Sequence, residues 1–86
     1  MLNFVVCDDD IHMLDRISSL LEKVIIANDF DAKIVYKTTD FKKLLSYISE
    51  NIVNVVILDI EFYGHSENGL DIAKQIRFFN KNCYLI

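Results

Sequence analysis

Residues 55–58 read VVIL, an apolar run with no polar residue at any alternate position, and the run stops on an acid, Asp59. A strand with one solvated face alternates apolar and polar side chains, because successive residues point to opposite sides of the sheet. A strand that is apolar throughout has to be covered on both faces, as at the centre of a parallel sheet flanked by helices. Ending such a strand on a carboxylate makes sense only if the strand end uses the charge.

The remainder of the chain supplies the strand–helix alternation that a parallel sheet requires. Leu2 to Cys7 is rich in β-branched and aromatic residues and reads as a first strand. Asp10 can cap the helix that follows, since its side chain can accept the free N–H groups of a first turn. Leu14, Ile17, Leu21, Val24 and Ile25 then recur at three- and four-residue steps, predicting a helix with one buried face. Ala32 to Lys37 alternates enough to be an edge strand. Asp40 opens a second helix with Phe41, Leu44, Leu45 and Ile48 on one stripe. Val55 to Leu58 is the third strand. Asn68 and Gly69 precede a third helix with Ile72, Ala73, Ile76 and Phe79 facing inward, and Cys83 to Ile86 begins a fourth strand. The expected class is α/β, a parallel sheet with right-handed crossovers and helices on both faces.

Bulk properties narrow the function. A chain of 86 residues makes one domain, and a domain near this size buries only about 60–65% of its unfolded surface. The net charge of −4 supplies no basic patch, which argues against nucleic acid being held by these residues alone. Cys7 and Cys83 lie in apolar runs without metal-ligand or redox spacing, so buried free thiols and a reducing cytoplasm are expected. Asp8, Asp9 and Asp10 interrupt the N-terminal apolar run too early for a signal peptide. No stretch approaches the ~20 apolar residues of a membrane span. A chain finishing CYLI, inside an apolar strand, reads as truncated at the fourth strand.

In a parallel sheet every strand ends at the same edge, and ligands bind in the crevice there. Asp8, Asp9 and Asp10 follow the first strand and Asp59 follows the third, so neighbouring first and third strands would bring these acids together. Clustered carboxylates repel, and a divalent cation removes the conflict. Mg²⁺ suits such a site, because it takes hard oxygen ligands, commonly one or two carboxylates with waters and a phosphate oxygen. Each acid also has a plainer explanation: Asp10 as a helix cap, Asp8 as a turn residue, the triplet as solvated charge. The joint pattern favours Asp8, Asp9 and Asp59 as a functional set.

The segments VVCDDD, VVILDI and NGLDIAKQIR, in that order, resemble the receiver domain of bacterial two-component response regulators. The CDDD start and the LDI…NGLDIA segment are most similar to regulators with a LytTR DNA-binding output, including accessory-gene-regulator types. The resemblance runs over the whole chain and makes residues 1–86 the N-terminal part of a receiver domain. It implies a flavodoxin-like sheet of order 2-1-3-4-5, missing here the end of strand four, helix four, strand five and helix five. It implies that Asp59 is the phosphoacceptor, that Asp8 and Asp9 are the acidic pair with Asp9 the more direct Mg²⁺ ligand, and that Glu61 gives a backbone carbonyl to the metal. The implied partner is a sensor histidine kinase, the implied setting cytoplasmic, and DNA is reached only through an absent output domain. The chain itself is then not an enzyme.

Two departures from that pattern stand out. The loop EFYGHSEN, residues 61–68, is longer than most receivers use and lacks their usual proline. Gly64 is expected to supply a positive φ in a turn, and His65 reads as a solvated loop residue. The family's Ser/Thr after strand four and Lys after strand five fall beyond Ile86, and Lys74 and Lys81 precede strand four. An apolar edge at residues 82–86 invites pairing with another chain, so a homodimer through that strand is expected. Two other readings compete: a receiver-like interaction module that is never phosphorylated, and a haloacid-dehalogenase-type phosphatase using Asp8 and Asp10. The second gives no reason for Asp59 to end a buried strand.

Overall fold

The computed structural model describes residues 1–58, 74–78, 80 and 82–85. Strand β1 (Leu2–Cys7) leads into helix α1 (Ile11–Ala27), strand β2 (Ala32–Thr38), helix α2 (Phe41–Glu50) and strand β3 (Val55–Leu58). Residues 74–78 are helical, and Tyr84–Leu85 forms strand β4. The four strands make one parallel sheet in the order β2-β1-β3-β4. The chain is therefore an α/β protein, as the alternation of elements predicts, with the strand order of a flavodoxin-like sheet that the resemblance implies.

Register fixes where the strand ends fall. β1 pairs with β3 from Phe4↔Val55 to Cys7↔Leu58, and with β2 up to Cys7↔Thr38. Phe4 opposes Ile34 while Val5 opposes Tyr36, so Val35 is an extra residue in the edge strand. Such a bulge bends the strand that carries it and disturbs the ladder locally.

Side-chain alternation divides the core between two faces. Val5 and Cys7 join Leu44 and Ile48 of α2, Val56 and Leu58 of β3, Ile76 and Cys83 in one buried cluster. Full burial of a side chain such as Leu44 contributes about 2 kcal/mol. Val6 points the other way and, like Leu14 of α1, is buried outside that cluster. Tyr36 and Tyr47 stack beside the α2 face with ring centroids 4.4 Å apart.

Both long helices begin as their cap residues predict. Asp10 accepts the N–H groups of His12 and Met13, and Asp40 accepts that of Lys42, each cap contributing about 1 kcal/mol. α1 ends in a Schellman turn, with Phe30 N–H donating to the Ile25 carbonyl and Asp29 N–H to that of Ile26. Asp29 takes the left-handed position there, at φ 52°.

The structure departs from the sequence expectations in three places. Val24, expected on the inward face of α1, is half exposed. Leu14 and Ser18 are buried and Ile17, Leu21 and Ile25 partly so, whereas Val24 is exposed like Met13 and Leu20. β2 runs one residue further than expected, to Thr38, and β4 starts one later, at Tyr84. Cys83 is instead held before the strand by the Asn80 side chain, whose Oδ1 accepts its N–H at 3.0 Å. Ile76 is fully buried as expected; Ile72, Ala73 and Phe79 lie outside the described residues. Among the described residues no helix is long and apolar enough to cross a membrane.

Candidate functional site

The pairing of Cys7 with Leu58 decides the geometry of the site. Asp8 is the next residue after the first of these, and Asp59 the next after the second. The two strands that lead into the acids thus end side by side and run in the same direction. Asp59 and Glu61, like Gly64 and His65, lie outside the described residues.

Asp8 is fully buried, which is exceptional for an aspartate. Its N–H donates to the Thr38 carbonyl at 3.2 Å, continuing the β1–β2 ladder by one rung. Its Oδ1 accepts the Asp10 N–H at 3.0 Å. Asp10 in turn uses its side chain on α1, accepting from His12 N–H at 2.9 Å and Met13 N–H at 3.4 Å. The three consecutive acids therefore differ in setting: Asp8 points inward, Asp9 is exposed, and Asp10 is a helix cap.

The neighbouring thiol registers the charge at this edge. Burial pushes the Cys7 thiol up to about 12, reinforced by the carboxylates of Asp8, Asp40 and Asp9 in that order. Asp40 thus contributes to the same negative field, although its sequence reads only as the cap of α2. The signal that could have found it is topological: Asp40 follows the end of β2, and in a parallel sheet that end lies at the same edge as those of β1 and β3. Thr38 was missed for a related reason. It is buried, its carbonyl receives Asp8, and its Oγ1 accepts the Asp40 N–H at 3.0 Å.

The donor chemistry fits Mg²⁺, since Asp8 and Asp9 offer hard carboxylate oxygens at a strand end. Among the described residues no group of three or more His, Cys, Asp or Glu side chains could hold a metal ion; the expected ligand set also draws on Asp59 and Glu61. Cys7 and Cys83 are buried free thiols, as their apolar settings predict.

An open groove of about 730 Å³ lies at the opposite edge of the sheet, lined in part by Ile52, Asn54, Phe78 and Asn80. Its asparagines are committed to backbone groups. Asn54 Oδ1 accepts the Asn3 N–H at 2.8 Å, and Asn80 Nδ2 donates to the Val53 carbonyl at 3.1 Å. The reactive groups gather at the acid edge instead. Comparison with protein-family models and with curated proteins finds no match to this chain.

Proposed function

We propose that this chain is the phosphoacceptor part of a receiver domain from a two-component response regulator, of the kind that carries a LytTR output. The observation that carries the reading is the parallel pairing of Cys7 with Leu58, which sets the strand leading to Asp59 beside the strand leading to Asp8. The buried Asp8 carboxylate supports it, because it sets a hard oxygen donor at the end of β1.

In this reading an oxygen of the ionised Asp59 carboxylate attacks phosphorus in a phosphohistidine of a sensor kinase. The new O–P bond forms an acyl phosphate as the P–N bond breaks, and its electron pair returns to the imidazole, which takes up a proton. Asp8 and Asp9 would hold Mg²⁺ together with Asp59 and the Glu61 carbonyl, and the bound ion supplies neutralisation of the phosphoryl charge. Asp10 keeps the start of α1 in place behind Asp8. The phosphorylated form would shift a two-state surface and so alter partner affinity. The setting is cytoplasmic, DNA is engaged only by a separate output domain, and self-association would use residues 82–86.

Incubation with Mg²⁺ and acetyl phosphate, followed by intact-mass measurement, tests the proposal. The wild-type chain should gain one phosphoryl group, Asp59→Asn none, and Asp8→Asn should gain it more slowly. An undiminished gain in Asp59→Asn would refute the assignment.

A further inference from the structure

Asp8 and Thr38 are both buried and meet at the acid edge, yet Thr38 has no place in the phosphoacceptor chemistry just described. Its two polar groups reach in different directions. The carbonyl receives the Asp8 N–H at 3.2 Å, the last rung of the β1–β2 ladder, and Thr38 itself pairs with Cys7. The hydroxyl oxygen receives the Asp40 N–H at 3.0 Å and so sets the turn that starts α2. Asp40 then caps the helix through Lys42 N–H at 2.9 Å. One residue therefore links the start of a helix, through its hydroxyl, to the backbone of the buried acid, through its carbonyl.

We propose that Thr38 is a positioning residue: by fixing the β2–α2 turn through its hydroxyl, it holds the last rung of the ladder and keeps Asp8 oriented to bind a divalent cation. The inference rests on the phosphoacceptor reading only for the use to which the cation is put. Metal sites depend on such supporting contacts, whose loss typically weakens binding about 10–100-fold. The fold depends on the same hydroxyl much less. Asp40 is exposed, so water can replace the lost acceptor, and valine is as suited to a strand as threonine.

The test is a Mg²⁺ and Mn²⁺ titration of the full chain by calorimetry, with thermal unfolding recorded for each variant. Wild type should bind, and Asp8→Asn should bind more weakly. Thr38→Val should raise the half-saturating metal concentration about tenfold, while Thr38→Ser, which keeps the hydroxyl, should stay within about twofold of wild type. Thr38→Ala repeats the test if valine does not fold, and should also lose affinity. Equal affinity in Thr38→Val and wild type would overturn the inference, as would a serine variant as weak as valine. Asp8-dependent binding that needs the Thr38 hydroxyl, without phosphoryl gain on Asp59, would uphold Thr38 and remove the phosphoacceptor reading. Phosphoryl gain on Asp59 with metal affinity indifferent to the hydroxyl would do the reverse.

Discussion

The two edges of the sheet carry side chains of nearly the same shape and use them in opposite ways. At the amino edge stand Asn3, Asn54 and Asn80; at the carboxyl edge stand Asp8, Asp9, Asp10 and Asp40. An amide both donates and accepts, so one asparagine can join two backbone segments. Asn80 does so, donating to Val53 while accepting the N–H groups of Asn82 and Cys83. Asn3 and Asn54 bridge β1 to the start of β3 across about fifty residues of sequence, with Asn3 Nδ2 donating to the Ile52 carbonyl at 3.0 Å. A carboxylate only accepts when ionised. At the other edge Asp8, Asp10 and Asp40 each accept from N–H groups two or three residues away. One edge is sewn together across the sheet by neutral side chains, while the acids of the other serve local turns and helix starts. That contrast is what the proposed function draws on at the carboxyl edge.

Exchanging the two chemistries should break the symmetry in a predictable order. The largest effect is expected at the amino edge. Asn80→Asp keeps an acceptor for Asn82 and Cys83 but sets a carboxylate oxygen against the Val53 carbonyl, and should cost about 2–3 kcal/mol in urea unfolding. A cost under ~0.5 kcal/mol would mean that the asparagine bonds are incidental.

The next effect is read through Cys7. Its thiol is raised from an ordinary 9.0 to about 12 in the folded chain, so above pH 9.0 the unfolded thiol ionises while the folded one stays protonated. That part of the stability is complete below pH 9.0 and is lost as pH climbs toward 12, by up to about 1.4 kcal/mol per pH unit. Cys7→Ala should be less stable at neutral pH, having lost core volume, but should show a flatter alkaline limb. Parallel limbs in the two proteins would remove the thiol as a reporter of the acid edge.

The smallest effect is the mirror exchange. Asp8→Asn retains an acceptor for Asp10 N–H and removes one negative charge from the field that Cys7 senses. In chelator its stability should change by less than about 1 kcal/mol, and added Mg²⁺ should stabilise it less than wild type. A loss above ~2 kcal/mol would make Asp8 a structural tie like Asn80.

Much of this was legible before the coordinates. The unbroken apolar run at Val55–Leu58 identified a central strand, and Asp10 and Asp40 marked the helix starts, because these signals act over a few neighbouring residues. The alternation of elements demanded a parallel sheet, whereas the adjacency of the first and third strands came only from the resemblance to receiver domains. Other features depend on contacts that local pattern does not encode. The roles of Asn3 and Asn54 appear only once strands fifty residues apart are paired. Val24 lies off the buried face of α1, a difference decided by how the helix rests on β1 and β2 rather than by its apolar spacing. Thr38 lay one residue past the expected end of the edge strand, and its bond to the turn at Asp40 gave no sequence signal. Asp59 is legible in sequence as the acid that ends the third strand and Glu61 only through the resemblance, and both lie outside the described residues.

The contrast between the edges can be tested most directly with Mn²⁺, whose unpaired electrons broaden the nuclear resonances of nearby backbone amides. At substoichiometric Mn²⁺ the amide signals of Cys7, Asp8, Asp9 and Leu58 should broaden together, while those of Asn3, Asn54 and Asn80 stay sharp. Broadening confined to the amino edge, or the same at both edges, would contradict a shared metal site at the ends of β1 and β3.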